Sequence, residues 1–248
     1  MSFNGIDKFD GKVALVTGSG KRLGQILAKG FADRGADIAV HYGHSAEGAR
    51  ETVDYVLSRG CRSKAFKADL SDERQTEHLF DEVVEYFGHV DILLNSAAIF
   101  EDKDLNTTDL HVWNRHFLIN VTAPFLLSRK FIQHYRGREG VIINILDWRS
   151  EFADHKHFAY TVSKAALSSL TKNLAVSAAP AIRVNGLALG AILPPAGKNR
   201  MPDKILDRVP MQRMAHFGEF LKAAVFLASE PNYITGAILN LDGGRRLL

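Results

Sequence analysis

The stretch Val13-Ala14-Leu15-Val16-Thr17-Gly18-Ser19-Gly20-Lys21-Arg22-Leu23-Gly24 sets the reading of the whole chain. A short apolar run reads as a buried strand, glycines follow it, and an amphipathic helical pattern continues from Gln25 to Arg34. A strand that feeds a glycine-rich turn and a helix N-terminus makes an anion site. The first-turn N–H groups have no intrahelical acceptor, and the helix dipole adds positive potential. Gly18, Gly20 and Gly24 let the backbone turn tightly and approach a pyrophosphate, so the segment reads as dinucleotide-binding. A Walker A loop is excluded. It would need glycine where Leu15 stands and Ser or Thr where Arg22 follows Lys21.

The remainder of the chain repeats the strand–helix rhythm. Strands are predicted over 12–17, 37–42, 63–68, 91–95, 140–146, 182–188 and 237–241. Helices are predicted over 22–35, 45–59, 73–87, 109–135, 157–178 and 216–229. The strands are continuously apolar, as expected when both faces of a sheet are covered. Such alternation predicts right-handed βαβ units in an α/β, doubly wound, parallel seven-stranded sheet of Rossmann type, a single domain over 1–248. The irregular stretch 190–215, rich in Pro, Gly and Met, follows a strand's C-terminal end, where ligands bind in such sheets. It reads as a substrate-lid loop.

Composition narrows the function classes. At 248 residues the chain can bury a full core, and a net charge of +3 gives no reason to expect a nucleic-acid partner. The first ten residues lack the apolar run of a secretory leader, and no apolar stretch is long enough to span a bilayer. Cys61 is the single cysteine, so no intrachain disulfide can form. The expectation is a cytoplasmic protein with no membrane partner.

Nucleotide choice is read at the end of the second strand. An NAD-binding fold places Asp or Glu there to take the ribose 2′-hydroxyl. Here the position is His41, followed by Tyr42, Gly43, His44 and Ser45, while Asp37 lies at the wrong end of the strand. Lys21 and Arg22 lie in the turn near the place of a 2′-phosphate, and arginine offers fixed, charge-assisted donors to phosphate. NADP(H) is therefore expected over NAD(H).

Tyr160 and Lys164 stand at i and i+4 near the start of a long helix, on one face. A tyrosine normally holds its proton to a pKa near ~10, and a neighbouring ammonium with an oxidised nicotinamide favours the phenolate. Such a tyrosine can give a proton as hydride arrives. His155 and His157, with Asp154, suggest no third ligand cluster, so no metal is expected. Met201, Met211 and Met214 read as an adaptable apolar wall of the lid.

With these elements in place, the chain resembles the short-chain dehydrogenase/reductase family over nearly its whole length. The matching segments are Thr17–Gly24, Asp69-Leu70, Asn95-Ser96-Ala97-Ala98, Asn120, Tyr160/Lys164, Arg183-Val184-Asn185 and Tyr233-Ile234-Thr235-Gly236 with Asp242-Gly243-Gly244. The resemblance implies that Asp69 binds the adenine amino group and Asn95 supports the cofactor. It implies that Lys164 holds the nicotinamide ribose and that Asn120 completes a proton relay through Lys164 and water. Family members usually form tetramers through the helices at 109–135 and 157–178, so a homotetramer is expected.

Departures from the family pattern are informative. Arg22 replaces the second glycine of the turn, Asp147 replaces the usual serine thirteen residues before the tyrosine, and Phe100 follows Asn95–Ala98. Together they resemble pteridine reductases. The run Asp147, Arg149, Asp154, Lys156, His157, Tyr160 and the ending Asp242-Gly243-Gly244-Arg245 look like dihydromonapterin reductases. That resemblance implies a pterin sandwiched between Phe100 and the nicotinamide. A C=N bond must gain a proton on nitrogen, and a carboxylic acid coupled to a tyrosine suits that task better than serine. Leu189 stands where the family usually has proline.

The expected catalytic residues are Asp147, Tyr160, Lys164 and Asn120. The expected cofactor contacts are Gly18, Gly20, Lys21, Arg22, Leu23, Gly24, His41, Tyr42, Ser45, Asp69, Leu70, Asn95, Ala97, Tyr160, Lys164, Gly190 and Ile192. The expected substrate contacts are Arg22, Phe100, Asp147 and Tyr160. The expected reaction is NADPH-dependent reduction of a pterin C=N bond in a dihydropterin, dihydromonapterin or dihydrofolate-like substrate. The rivals are a carbonyl or 3-oxoacyl reductase of the same family and a non-catalytic NADPH-binding regulator.

Overall fold

A computed structural model describes residues 8–135, 139–194, 200–229 and 233–248. One seven-stranded sheet runs in the order β3-β2-β1-β4-β5-β6-β7. Its strands are β1 (Val13–Val16), β2 (Asp37–Tyr42), β3 (Ser63–Lys67), β4 (Ile92–Asn95), β5 (Gly140–Asp147), β6 (Ile182–Leu189) and β7 (Ile238–Leu241), all paired in parallel. The chain order reverses between β1 and β4, which opens a crevice at the C-terminal ends of the central strands.

Period-two geometry, with helices on both faces, explains why the central strands β1 and β4 are buried throughout, while edge strand β3 exposes Lys64 and Lys67. In β1, Ala14 and Val16 face one layer of helices, and Val13 and Leu15 face the other. The first layer holds α1 (Arg22–Ala32), α2 (Ala46–Ser58) and α8 (Phe217–Ala228), through Leu27, Phe31, Val56 and Phe220. The second holds α3 (Glu73–Phe87), α5 (Ala123–His134) and α6 (Phe158–Ala178), through Phe80, Leu127, Phe131 and Leu174. Burying each such side chain stabilises the fold by roughly 1.5–3 kcal/mol before entropy is counted. Asp72 starts α3 by accepting from the N–H groups of Arg74 and Gln75, and Gly88, at φ +85°, ends it.

The predicted elements are all present, with ends shifted by a few residues. The helix expected over 109–135 is divided into α4 (Leu110–Phe117) and α5 by a wider π turn at Leu118–Thr122. There Ala123 N–H donates to Leu118 O, five residues back. Pro124 explains the change of register, because it has no N–H for the carbonyl of Asn120 in an α-helical ladder. The stretch expected to be irregular over 190–215 contains a short helix, α7 (Asp203–Leu206). The part of the expected lid at 195–199 lies outside the described residues. Among the described residues, no helix is long and apolar enough to cross a membrane.

Candidate active site

The glycine turn has the shape a dinucleotide needs. Gly18 takes φ +69°, and a Cβ there would press on Ala97. A Cβ on Gly20 would lie 2.8 Å from the carbonyl oxygen of Ser45. No side chain caps α1, whose N-cap is Lys21, so its first-turn N–H groups remain open to a phosphate. Thr17 Oγ1 accepts the N–H groups of Ser96 and Ala97 at 2.9 and 3.0 Å, tying the loop after β4 to the turn. Asn95 donates to Asn144 Oδ1 at 2.8 Å, and Asn144 in turn to Thr171 at 2.9 Å. Asp69 accepts from the hydroxyl and N–H of Ser71, bonds that hold its carboxyl below the usual range and keep it an acceptor.

Several expected cofactor contacts act from beneath the site. His41 is buried, with Gly18 N–H donating to Nδ1 at 3.0 Å and Nε2 lying 3.1 Å from Ala68 O. That pairing requires the neutral tautomer with its proton on Nε2. Burial pushes the ring's pKa down from 6.5 to about 4. His41 is therefore a prop for the turn and not the direct contact expected of it. Leu70 and Ile192 are likewise buried, so what they offer a cofactor is backbone. Gly190 packs against Asp242 at the end of β6. Arg183 and Asn185 tie β6 to the end of α8 and to the segment before β7, through bonds to Leu227 O and Ile234 O at 2.9 Å.

Arg22 corrects a second expectation. Its backbone sits at φ +53°, left-handed geometry that explains why glycine is usual at this position. Its guanidinium donates to Pro194 O at 3.0 Å, on the lid beyond β6. The arginine thus reaches the lid side of the crevice through this bond, whereas it was expected at a 2′-phosphate near the end of β2. Lys21 is exposed in the same turn. Tyr42 and Ser45 lie at the end of β2 and at the N-cap of α2.

The residues expected to be catalytic come together around the end of β5, the start of α6 and the π turn. Tyr160 donates to Asp147 Oδ2 at 3.1 Å, and Lys164 Nζ donates to Ile145 O at 2.7 Å. The Asn120 side-chain amide is held on both ends. Its oxygen takes Ile99 N–H at 3.0 Å, and its nitrogen reaches Ile99 O at 3.2 Å and Ser163 Oγ at 3.0 Å. The π turn places this clamp, and because Pro124 has no N–H, the Asn120 carbonyl has no α-helical donor.

The electrostatics reverse the expected sign at Tyr160. Burial first, then the charge and hydrogen bond of Asp147, push the phenol well above its ordinary pKa, with Arg149 opposing. Lys164 sits 5.8 Å from the ring centroid and gives its hydrogen bond to the backbone, so it does not offset the carboxylate. Burial pushes Lys164 itself down to about 8, with Asp147 opposing. Tyr160 is thus held in its protonated form.

Phe100 lies outside the core, 52% exposed, with its ring 4.1 Å from that of His157 and edge-on to Tyr160 at 4.6 Å. His157 Nδ1 lies 3.0 Å from Glu101 O, which holds the ring beside Phe100. Trp148 and Arg149 were not singled out as site residues from the sequence, although they directly follow Asp147. Arg149 bonds Asp147 at 3.1 Å and also Asp154, and its guanidinium stands 5.5 Å from the Phe100 ring centroid.

Comparison with known proteins identifies the family to which this fold belongs. Residues 18–246 match the family described as enoyl-(acyl carrier protein) reductase. The chain is 36% identical, over 97% of its length and 96% of the other's, to 3beta-hydroxysteroid dehydrogenase 1 of Eggerthella lenta. Among solved structures it is similar to a short chain dehydrogenase from Burkholderia cenocepacia in complex with NADP. That likeness has a TM-score of 0.90 at 32% identity and covers 96% of this chain and 99% of that one. It is also similar to FolM alternative dihydrofolate reductase 1 from Brucella canis, complexed with NADP. Here the TM-score is 0.90 at 28% identity, covering 96% of this chain and 94% of that one. The expected NADP cofactor is in line with those complexes.

Proposed function

The chain belongs to the short-chain dehydrogenase/reductase family and is an NAD(P)-dependent oxidoreductase, and we propose that within this family it reduces the C=N bond of a pterin with NADPH. The observation that carries this reading is the bond from Tyr160 to Asp147 beside the exposed ring of Phe100. A ketone reductase needs one hydroxyl near the carbonyl oxygen. A ring nitrogen that must gain a proton is better served by a phenol and a carboxyl sharing a hydrogen bond.

Gly18, Gly20 and the open N-terminus of α1 would hold the pyrophosphate, and Asp69 the adenine. Lys21, Tyr42 and Ser45 would border the 2′-phosphate, and Lys164 the nicotinamide ribose. The bound dinucleotide supplies hydride. Phe100 stacks on the flat substrate, which offset stacking favours by roughly 0.5–1.5 kcal/mol beyond area burial. Tyr160 gives its proton to the ring nitrogen. Lys164, with a pKa near 8 and next in the chain to Ser163 of the Asn120 clamp, returns one. Arg149 holds Asp147 in place and offsets part of its charge.

The similarity to a hydroxysteroid dehydrogenase supports a second reading, reduction of a carbonyl. NADPH oxidation measured side by side with dihydropterins, dihydrofolate, a 3-oxoacyl thioester and quinones decides between them. Turnover of the dihydropterins is expected. Good turnover of the thioester with none of the dihydropterins would overturn the proposal. The reading includes a homotetramer joined through α4–α5 and α6, supported by the exposed Leu110, Phe125 and Val176 on those helices. Sedimentation equilibrium at the mass of one chain would refute it.

A further inference from the structure

The peptide after β7 sets a guanidinium at the mouth of the site that the reaction chemistry does not use. Asp242 organises this peptide. Its carboxylate accepts from Gly244 N–H at 3.0 Å and Arg246 N–H at 2.9 Å, and its carbonyl takes Arg245 N–H at 3.2 Å. Arg245 then lies over the Trp148 ring, 4.5 Å from its centroid. Arg149 lies 4.8 Å from the same centroid and borders Phe100. The two arginines differ in what neutralises them. Arg149 is paired with both Asp147 and Asp154. Among the described residues, no carboxylate pairs with Arg245, nor with exposed Arg208 on the segment after α7. Burial, then the charges of Arg149 and Arg208 outweighing those of Asp147 and Asp154, lowers the pKa of Arg245. A half-buried cation that is held over a ring and has no paired carboxylate suits an incoming anion.

We propose that Arg245, with Arg208 beside it, forms a subsite for an anionic group, carboxylate or phosphate, carried on the substituent of the substrate whose ring lies over Phe100. The nature of that ring rests on the pterin reading, whereas the preference for an anion does not.

The test uses protein loaded with NADP⁺, so that no turnover occurs, and measures dissociation constants by calorimetry. One set comprises a dihydropterin with an uncharged hydroxylated chain, its phosphate ester, and dihydrofolate. A second set comprises a 3-oxoacyl coenzyme A and the N-acetylcysteamine thioester of the same acyl chain. Anionic members should bind more tightly than neutral ones. Arg245→Gln should cut that ratio about tenfold, the lower end for a charge-assisted hydrogen bond, and Arg245→Lys should cut it less. The phosphate ester and dihydrofolate arms tell phosphate from carboxylate. An unchanged thermal midpoint shows that each variant is folded. If no dihydropterin binds and the thioesters do, the pterin reading falls and the thioester ratio alone decides on Arg245. No preference for anions, a preference that survives Arg245→Gln, or no binding in either set overturns the subsite.

Discussion

Tyr160 donates to Asp147 across 3.1 Å, and that bond couples the first turn of α6 to the last residue of β5. The phenol keeps its proton because ionising it would place a second negative charge beside a carboxylate in a buried site. Tyr160→Phe removes the proton and leaves the ring packed. Turnover should fall at least ~100-fold, the lower range for general acid catalysis, in steady-state NADPH oxidation. Asp147→Ser should reduce dihydropterin turnover more than any side activity on ketones. Unchanged dihydropterin turnover in that variant would remove the carboxylate from the mechanism.

The lysine sets a pH limit. Burial brings Lys164 down from 10.5 to about 8. The protonated form is the one that returns a proton, so kcat/KM for reduction should decline as pH rises through about 8. A profile that stays flat to pH 10 would place proton return elsewhere.

His41 gives a stability prediction with a defined sign. The folded ring has its pKa lowered from 6.5 to about 4. Above pH 6.5 the ring is neutral in both states and its contribution is fully present. Below that, the unfolded chain binds a proton that the folded chain refuses until about pH 4, so stability drains away over this window. The loss approaches ~1.4 kcal/mol per pH unit, about 3 kcal/mol in all. Urea unfolding from pH 7 to pH 4 measures it, and His41→Asn should flatten the curve by that amount.

Arg22 and Lys21 should separate by function although they are adjacent. Arg22→Gly suits the left-handed backbone there and removes only the link to Pro194. It should weaken NADPH and NADH binding alike and raise the KM for substrate. Lys21→Ala should instead narrow the preference for NADPH over NADH by about tenfold, as expected for one charge-assisted contact. Fluorescence titrations with both nucleotides read the two effects. Loss of discrimination in Arg22→Gly alone would restore the arginine to the 2′-phosphate.

Phe100 is exposed beside Tyr160 and His157, so truncating it leaves no core cavity. Phe100→Ala should raise the apparent KM for a dihydropterin several-fold and change a compact ketone less, with little shift in melting temperature, since the stacking lost is roughly 0.5–1.5 kcal/mol. Equal effects on both substrates would argue against stacking.

The sheet, its strand order class and the glycine turn were legible in the amino-acid sequence because each is written locally. Val13–Val16 runs without a polar break, Gly18 to Gly24 punctuate the turn, and α1 follows with its own period. Tyr160 and Lys164 were legible for the same reason, since a helix alone puts i and i+4 on one face. What tertiary structure decided were the partners brought in from elsewhere in the chain. His41 could not be known as the prop of Gly18 without the pairing of β1 with β2, which carries its ring beneath the turn. The direction of Arg22 depends on where the lid after β6 passes. The raised pKa of Tyr160 depends on how deeply it is buried and on Asp147 across 3.1 Å, quantities that no spacing encodes. The stack of Arg245 on Trp148 joins two segments nearly a hundred residues apart, and only the packed fold brings them into contact.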